Sequence, residues 1–118
     1  METSDAIVNV NEYDLTGDAA SFVDAISALA ERTRNEGHPG VVAYRWFLNE
    51  DEQTAGAVIM YEDAAAWVGH HELAYQWDEM NDLQRAVSLR RLVFMGTPSD
   101  TIRDWVGKAD LPLVQYET

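Results

Sequence analysis

The sequence holds no cysteine, one lysine and three prolines, and no apolar run in it approaches the roughly 18 residues that cross a bilayer. Without cysteine there is neither a disulfide framework nor a thiol nucleophile, and redox chemistry leaves no trace of the compartment. The N-terminal stretch "METSDAIVNV" carries acids where a secretory leader needs positive charge, so a cytoplasmic location is expected. Basic charge is scarce: 21 Asp and Glu stand against 8 Lys and Arg, a net of -13. The excess lies in residues 1–84, with 17 acids and 3 bases, whereas residues 85–118 hold 4 acids and 5 bases. A surface of that sign repels phosphate backbones and anionic lipid, so neither nucleic acid nor membrane is expected as a partner.

Apolar residues make up 47% of the chain and are spread along it, a globular composition, and 118 residues suit one domain spanning 1–118. "AIVNVNEY" (6–13) alternates as a strand does, with Ile7, Asn9, Asn11 and Tyr13 on one side. A helix follows, with Asp18 as N-cap, Phe22, Ile26, Leu29 and Thr33 on one face, and Gly37 and Pro39 at its end. Residues 40–50 and 54–62 are rich in β-branched and aromatic residues and read as a hairpin, the acids Glu50, Asp51 and Glu52 forming its solvated tip. After Asp63, residues 64–80 read as one helix despite Gly69, 81–84 as a turn, 85–96 as a fourth strand, 99–107 as a short helix capped by Ser99, and 111–117 as a final strand.

The order is β-α-β-β-α-β with a further helix and strand, an α+β, ferredoxin-like sandwich with helices on one sheet face. The second strand is apolar on both sides, Val42, Tyr44, Trp46 and Leu48 against Val41, Ala43 and Phe47, which predicts that its outer face is covered too. A homodimer packed sheet to sheet is the expected cover. Arg45, Arg90 and Arg91, in apolar strands, are expected to form ion pairs with that partner.

"HPGVVAYRWF" (38–47) and "VIMYEDAAAWVGHH" (58–71) resemble the antibiotic biosynthesis monooxygenase-like family in its Pro-Gly-x-x-x-Tyr approach to strand two and its Tyr-x-Asp end to strand three, followed by a helix with a histidine. The resemblance covers roughly residues 5–96. It implies a dimeric α/β barrel of ferredoxin-like protomers with a pocket between sheet and helices. Some members oxidise phenols or quinols with molecular oxygen and no cofactor, some relatives degrade haem, and others have no known activity. His70 matches the family's helix histidine. The second histidine that often follows has no counterpart in "AYQWDEM". Trp67 and His70 do not fall at the spacing of the haem-degrading relatives.

The residues themselves narrow the candidates. "HELAY" (71–75) resembles a zinc motif, but Tyr75 stands in place of the second histidine, and adjacent His70 and His71 point about 100° apart on a helix, so no metal site is expected. His70 lies central in an apolar arc with Trp67, Leu73, Ala74, Trp77 and Met80. It is either a core histidine or the general base of a pocket, for which an unperturbed pKa near 6.5 is suitable. His71 falls on the flank of that arc and is expected to be partly exposed, toward Asp78. Asn9 and Asn11 are either satisfied at a strand edge or hydrogen-bonded to a ligand, and Trp67 and Trp77 are core residues that could also stack on a flat aromatic. Two functions follow. One is a cofactor-independent monooxygenase of a small phenolic, quinol or polyketide-like aromatic, with His70 catalytic and Asn9, Asn11, Trp67 and Trp77 binding substrate. The other is a non-catalytic ligand-binding or stress-related protein of the same fold.

Overall fold

Three of the four described helices begin where a short polar side chain closes the first turn. In the computed structural model, which describes residues 6–117, Asp18 accepts from the Ser21 N–H (2.8 Å), Asp63 from Ala66 (2.9 Å) and Ser99 from Ile102 (3.2 Å). These caps open helices α1 (Ala19–Glu36), α2 (Ala64–Ala74) and α4 (Asp100–Ala109). The strands are β1 (Ile7–Leu15), β2 (Val41–Asn49), β3 (Thr54–Tyr61), β4 (Val87–Met95) and β5 (Leu113–Tyr116). They form one open, mixed sheet in the order β2-β3-β1-β4-β5, antiparallel except for the last pair. The fold class is therefore α+β and ferredoxin-like, and the C-terminal strand pairs with β4 of the same chain.

The alternation in β1 comes through unchanged: Asn9, Asn11 and Tyr13 are buried against the helices. On α1 the buried stripe is Phe22, Ala25, Leu29 and Thr33, with Ile26 packed at its margin. The core lies between the sheet and the helices and includes the fully buried Phe22, Leu29, Tyr61, Trp67, Leu92, Phe94 and Ile102.

Three elements depart from the sequence reading. Residues 64–80 are not one helix: the chain straightens at Trp77 (φ -89°, ψ 141°), and a new helix, α3, runs over Asp78–Ala86, so the expected turn at 81–84 is helical and β4 starts at Val87. The two pieces pack on different partners. Trp77 lies under the Arg32 guanidinium of α1 (4.9 Å), and Arg32 holds both carboxylate oxygens of Glu79 at 2.9 and 3.0 Å, whereas α2 packs against α4. One straight rod cannot face both. Asp78 and Glu79 in the first turn of α3 and Arg85 in its last suit the helix dipole.

A register shift between Val41 and Ala43 turns Val42 outward (54% exposed), away from the side of Tyr44 and Trp46 on which strict alternation places it. A second shift, where Glu12 pairs Arg91 and Tyr13 pairs Leu89, leaves Arg90 as the extra residue of β4. Arg90 and Arg91 consequently bond to Asp14 and Glu12 within the chain, instead of awaiting a partner subunit. Exposed to water, such pairs are screened and add little to stability. Arg45 lies 5.1 Å over the ring of Phe47.

No described helix is long and apolar enough to cross a membrane.

Candidate functional site

Beneath the middle of the sheet, the inward faces of β1, β2, β3 and β4 and the facing sides of α2 and α3 do not close completely. They leave a cavity of about 150 Å³ whose walls include Asn11, Tyr13, Tyr44, Trp46, Tyr61, His70, His71 and Tyr75. Gln84 of α3, exposed, and Leu111, which follows α4, also reach it, marking its mouth between α3 and the C-terminal segment. A larger depression of about 370 Å³ beside Thr33, Arg34 and His38 is open to solvent and apolar only in part.

Among the described residues no Asp, Glu, Lys or Arg lines the inner cavity, although the chain carries a net of -13. Burial raises the pKa of Tyr13, Tyr44, Tyr61 and Tyr75 above the ordinary tyrosine value, so all four remain neutral phenols. The histidines are held neutral in the opposite sense. Burial, helped by the neighbouring His38, pushes the pKa of His70 down to about 4, and burial, helped by His70, pushes that of His71 down to about 3. The pKa near 6.5 that favoured His70 as a base from sequence does not survive its burial.

Polar atoms around the cavity are incompletely satisfied. Asn11 donates through Nδ2 to the Tyr13 hydroxyl (3.1 Å), while its Oδ1 has no partner. His70 Nδ1 is likewise buried without one, whereas the Trp46 side chain meets the Tyr44 hydroxyl. Buried polar groups are nearly always hydrogen-bonded, so two orphans on the walls of one cavity point to a bound molecule or to water that completes them.

The residues predicted as site residues separate into two groups. Asn11 and His70 line the cavity; Asn9, Trp67 and Trp77 do not. The Trp67 indole N–H donates to Asn9 Oδ1 at 2.6 Å with both residues fully enclosed, and Trp77 faces α1 beneath Arg32. His71, expected to be partly exposed near Asp78, is 9% exposed and stacks on Trp67 with ring centroids 3.8 Å apart. The reason is α4: Trp105 lies edge-on to both rings, at 5.7 Å from Trp67 and 5.1 Å from His71, covering the flank of α2 that the sheet does not reach. Sequence reasoning also passed over Tyr44, Tyr61, Tyr75 and Trp46 as wall residues, although the inward alternation of β2 and β3 marks three of them. Among the described residues no group of three or more His, Asp or Glu is placed to hold a metal ion.

Sheet order, helix placement and an internal pocket together define a ferredoxin-like α+β protein with the fold of the antibiotic biosynthesis monooxygenase-like proteins. No family model and no curated protein matches the sequence. Among solved structures, MupZ from Pseudomonas fluorescens superposes with a TM-score of 0.79 at 14% identity, covering 100% of this chain and 90% of its own. SnoaB from Streptomyces nogalater, a cofactor-independent oxygenase, gives 0.59 at 16% identity over 74% of this chain and 88% of its own. A candidate antibiotic biosynthesis monooxygenase from Caulobacter crescentus gives 0.61 at 17% over 72% and 81%. At these identities the likeness is one of fold.

Proposed function

We propose that the cavity binds a small, uncharged, hydroxylated ring compound, and that the chain oxidises it with molecular oxygen without a cofactor. The observation that carries this reading is the coincidence of Asn11 Oδ1 and His70 Nδ1, both unpartnered, on the aromatic walls of one cavity that no charged side chain lines among the described residues. A charged ligand buried there would find no counter-ion and would lose its hydration uncompensated. A neutral ring with one or two hydroxyls gains stacking surface, an acceptor in Asn11 and a second polar partner in His70. A cavity of about 150 Å³ holds a single benzene-sized ring. A fused polycycle needs further opening at the Gln84 and Leu111 mouth.

In this reading the ligand itself is the reductant. A phenol and one dioxygen give a quinone and one water, one oxygen atom entering the ring and the other leaving as water. The walls supply orientation and exclude bulk water, and His70 Nδ1 holds the ligand oxygen. The fold shared with a cofactor-independent oxygenase supports this chemistry. The test is oxygen consumption with a panel of hydroquinones and phenols. Uptake above buffer, reduced in His70→Gln and Asn11→Leu, is expected. Saturable ligand binding without uptake would leave only the non-catalytic ligand-binding reading.

The homodimer belongs to the same proposal. Val42, Phe47, Met95 and Tyr116 are 44–55% exposed, and Val42, Phe47 and Met95 lie on the strands of an uncovered sheet face. Burial of apolar side chains at roughly 25 cal/mol per Å² would favour a second copy there. Sedimentation of a dimer at micromolar concentration is expected, and a monomer would exclude it.

A further inference from the structure

We infer that His71, not His70, is the residue that takes a proton from a hydroxyl bound in the cavity, a reading that rests on the ligand site proposed above. Its Nδ1 lies 2.7 Å from the carbonyl oxygen of Trp67. A carbonyl can only accept, so Nδ1 carries the proton and Nε2 is left with a lone pair. The ring orientation is fixed from two further sides: it stacks on the Trp67 indole with an interplanar angle of 20°, and Trp105 meets it edge-on at 65°. Trp67 is in turn tied to β1 by its bond to Asn9. The imidazole lines the cavity, and with Nδ1 engaged, Nε2 is the nitrogen available to a ligand. A base whose second nitrogen is held by another group is the arrangement that proton abstraction requires. His70 lacks it. Its Nδ1 has no partner, so its tautomer is free to follow the ligand, which suits a group that positions an oxygen from either direction.

In the step itself the ligand O–H bond breaks, the proton becomes the Nε2–H of an imidazolium, and the electron pair stays on the ligand oxygen. The groups around His71 are Trp67, His70 and Tyr75 on its own helix and the segment after it, Tyr61 on β3 and Trp105 on α4, with no charged side chain on the cavity wall among the described residues. Burial is the main cause of the low pKa of His71. An oxyanion formed beside the imidazolium supplies the opposite charge that the site lacks and favours the ionised pair.

The probe is 4-nitrophenol, whose phenolate has its own visible absorption band, titrated into the full chain at a pH where the free compound is neutral. Wild type is expected to bind it and develop the phenolate band. His70→Gln is expected to bind more weakly but keep the band at saturation. His71→Gln and the stacking-preserving His71→Phe, each checked for native circular dichroism, are expected to bind the probe and lose the band. A long-range ¹⁵N spectrum of the free protein should show the His71 proton on Nδ1. A band that survives in both His71 variants, a band lost in His70→Gln at saturation, or a proton on Nε2 overturns the assignment. Binding by wild type without ionisation overturns it while leaving the ligand site intact, and no binding at all removes both.

Discussion

The two buried histidines should make the stability of this protein steeply pH-dependent, and replacing one of them should weaken that dependence in a measurable way. In the folded chain the pKa of His71 is about 3, whereas in the unfolded chain it returns to roughly 6.5. The folded value is depressed, so the unfolded state binds more protons over the interval between them. Stability is complete above about pH 6.5 and falls as the pH drops toward 3. By pH 4.5 His71 alone costs about 3 kcal/mol. His70, at about 4, costs nearly as much. A combined loss of about 5 kcal/mol is comparable to the whole stability of a small domain, about 5–15 kcal/mol. His71→Phe keeps the ring against Trp67 but gives up the hydrogen bond to the Trp67 carbonyl, about 1 kcal/mol at pH 7.5. At pH 4.5 the variant escapes one protonation and should be more stable than wild type by about 2 kcal/mol. The two curves should cross near pH 6, by the same linkage. Urea unfolding followed by circular dichroism at pH 7.5, 6.0 and 4.5 measures this, and the carboxylates, common to both proteins, cancel in the difference. Parallel curves across that range would mean that His71 is not buried as described.

Trp67→Phe removes the indole donor to Asn9 Oδ1 and should cost about 2–4 kcal/mol in urea unfolding; adding Asn9→Leu should recover part of that loss, and no recovery would mean the bond is unimportant. Gly69→Ala would place a methyl 2.5 Å from Cδ2 of His38, whose ring is held by the Gly40 N–H, so a net loss of about 1–2 kcal/mol is expected despite better helix propensity. In a His38→Ala background the same change should instead stabilise by about 1 kcal/mol, and an identical effect in both backgrounds would rule out the contact. Asp110 caps α4 in the left-handed region (φ 53°), so Asp110→Gly should raise stability by about 0.5–1 kcal/mol in the same assay, and a loss would show that its side chain has a role beyond the turn.

The architecture was legible because its signals are local. Period-two alternation in β1, the N-cap residues Asp18, Asp63 and Ser99, and the polar tip between β2 and β3 each specify an element without reference to the rest of the chain. The features that were not legible depend on tertiary partners. Residues 64–80 have a helix-compatible pattern throughout, and only the competing attachments to α1 and α4 break them at Trp77. His71 lies on the flank of any projection of that helix, and nothing in its neighbourhood in the sequence announces Trp105, which comes from α4 and buries it. The site shows the same division. Asn11 and His70 were found because periodicity placed them inward, but inward is not the same as cavity-lining. Asn9 and Trp67 also point inward and bond to each other instead of lining the cavity. The bulge at Val42 left no signal, since one extra residue in a uniformly apolar strand leaves the composition unchanged.

The break at Trp77 has a consequence for how such a protein can diversify. Because α2 is fastened to α4 and α3 to α1, the wall of the cavity consists of two separately supported panels. The histidines are on one; Met80, Leu83 and Gln84 are on the other. Substitutions along α3, or in its tether through Arg32 and Glu79, can widen, narrow or reshape the chamber while the orientation of the imidazoles is preserved. A lineage built on this scaffold can therefore change what it admits without first rebuilding what it does.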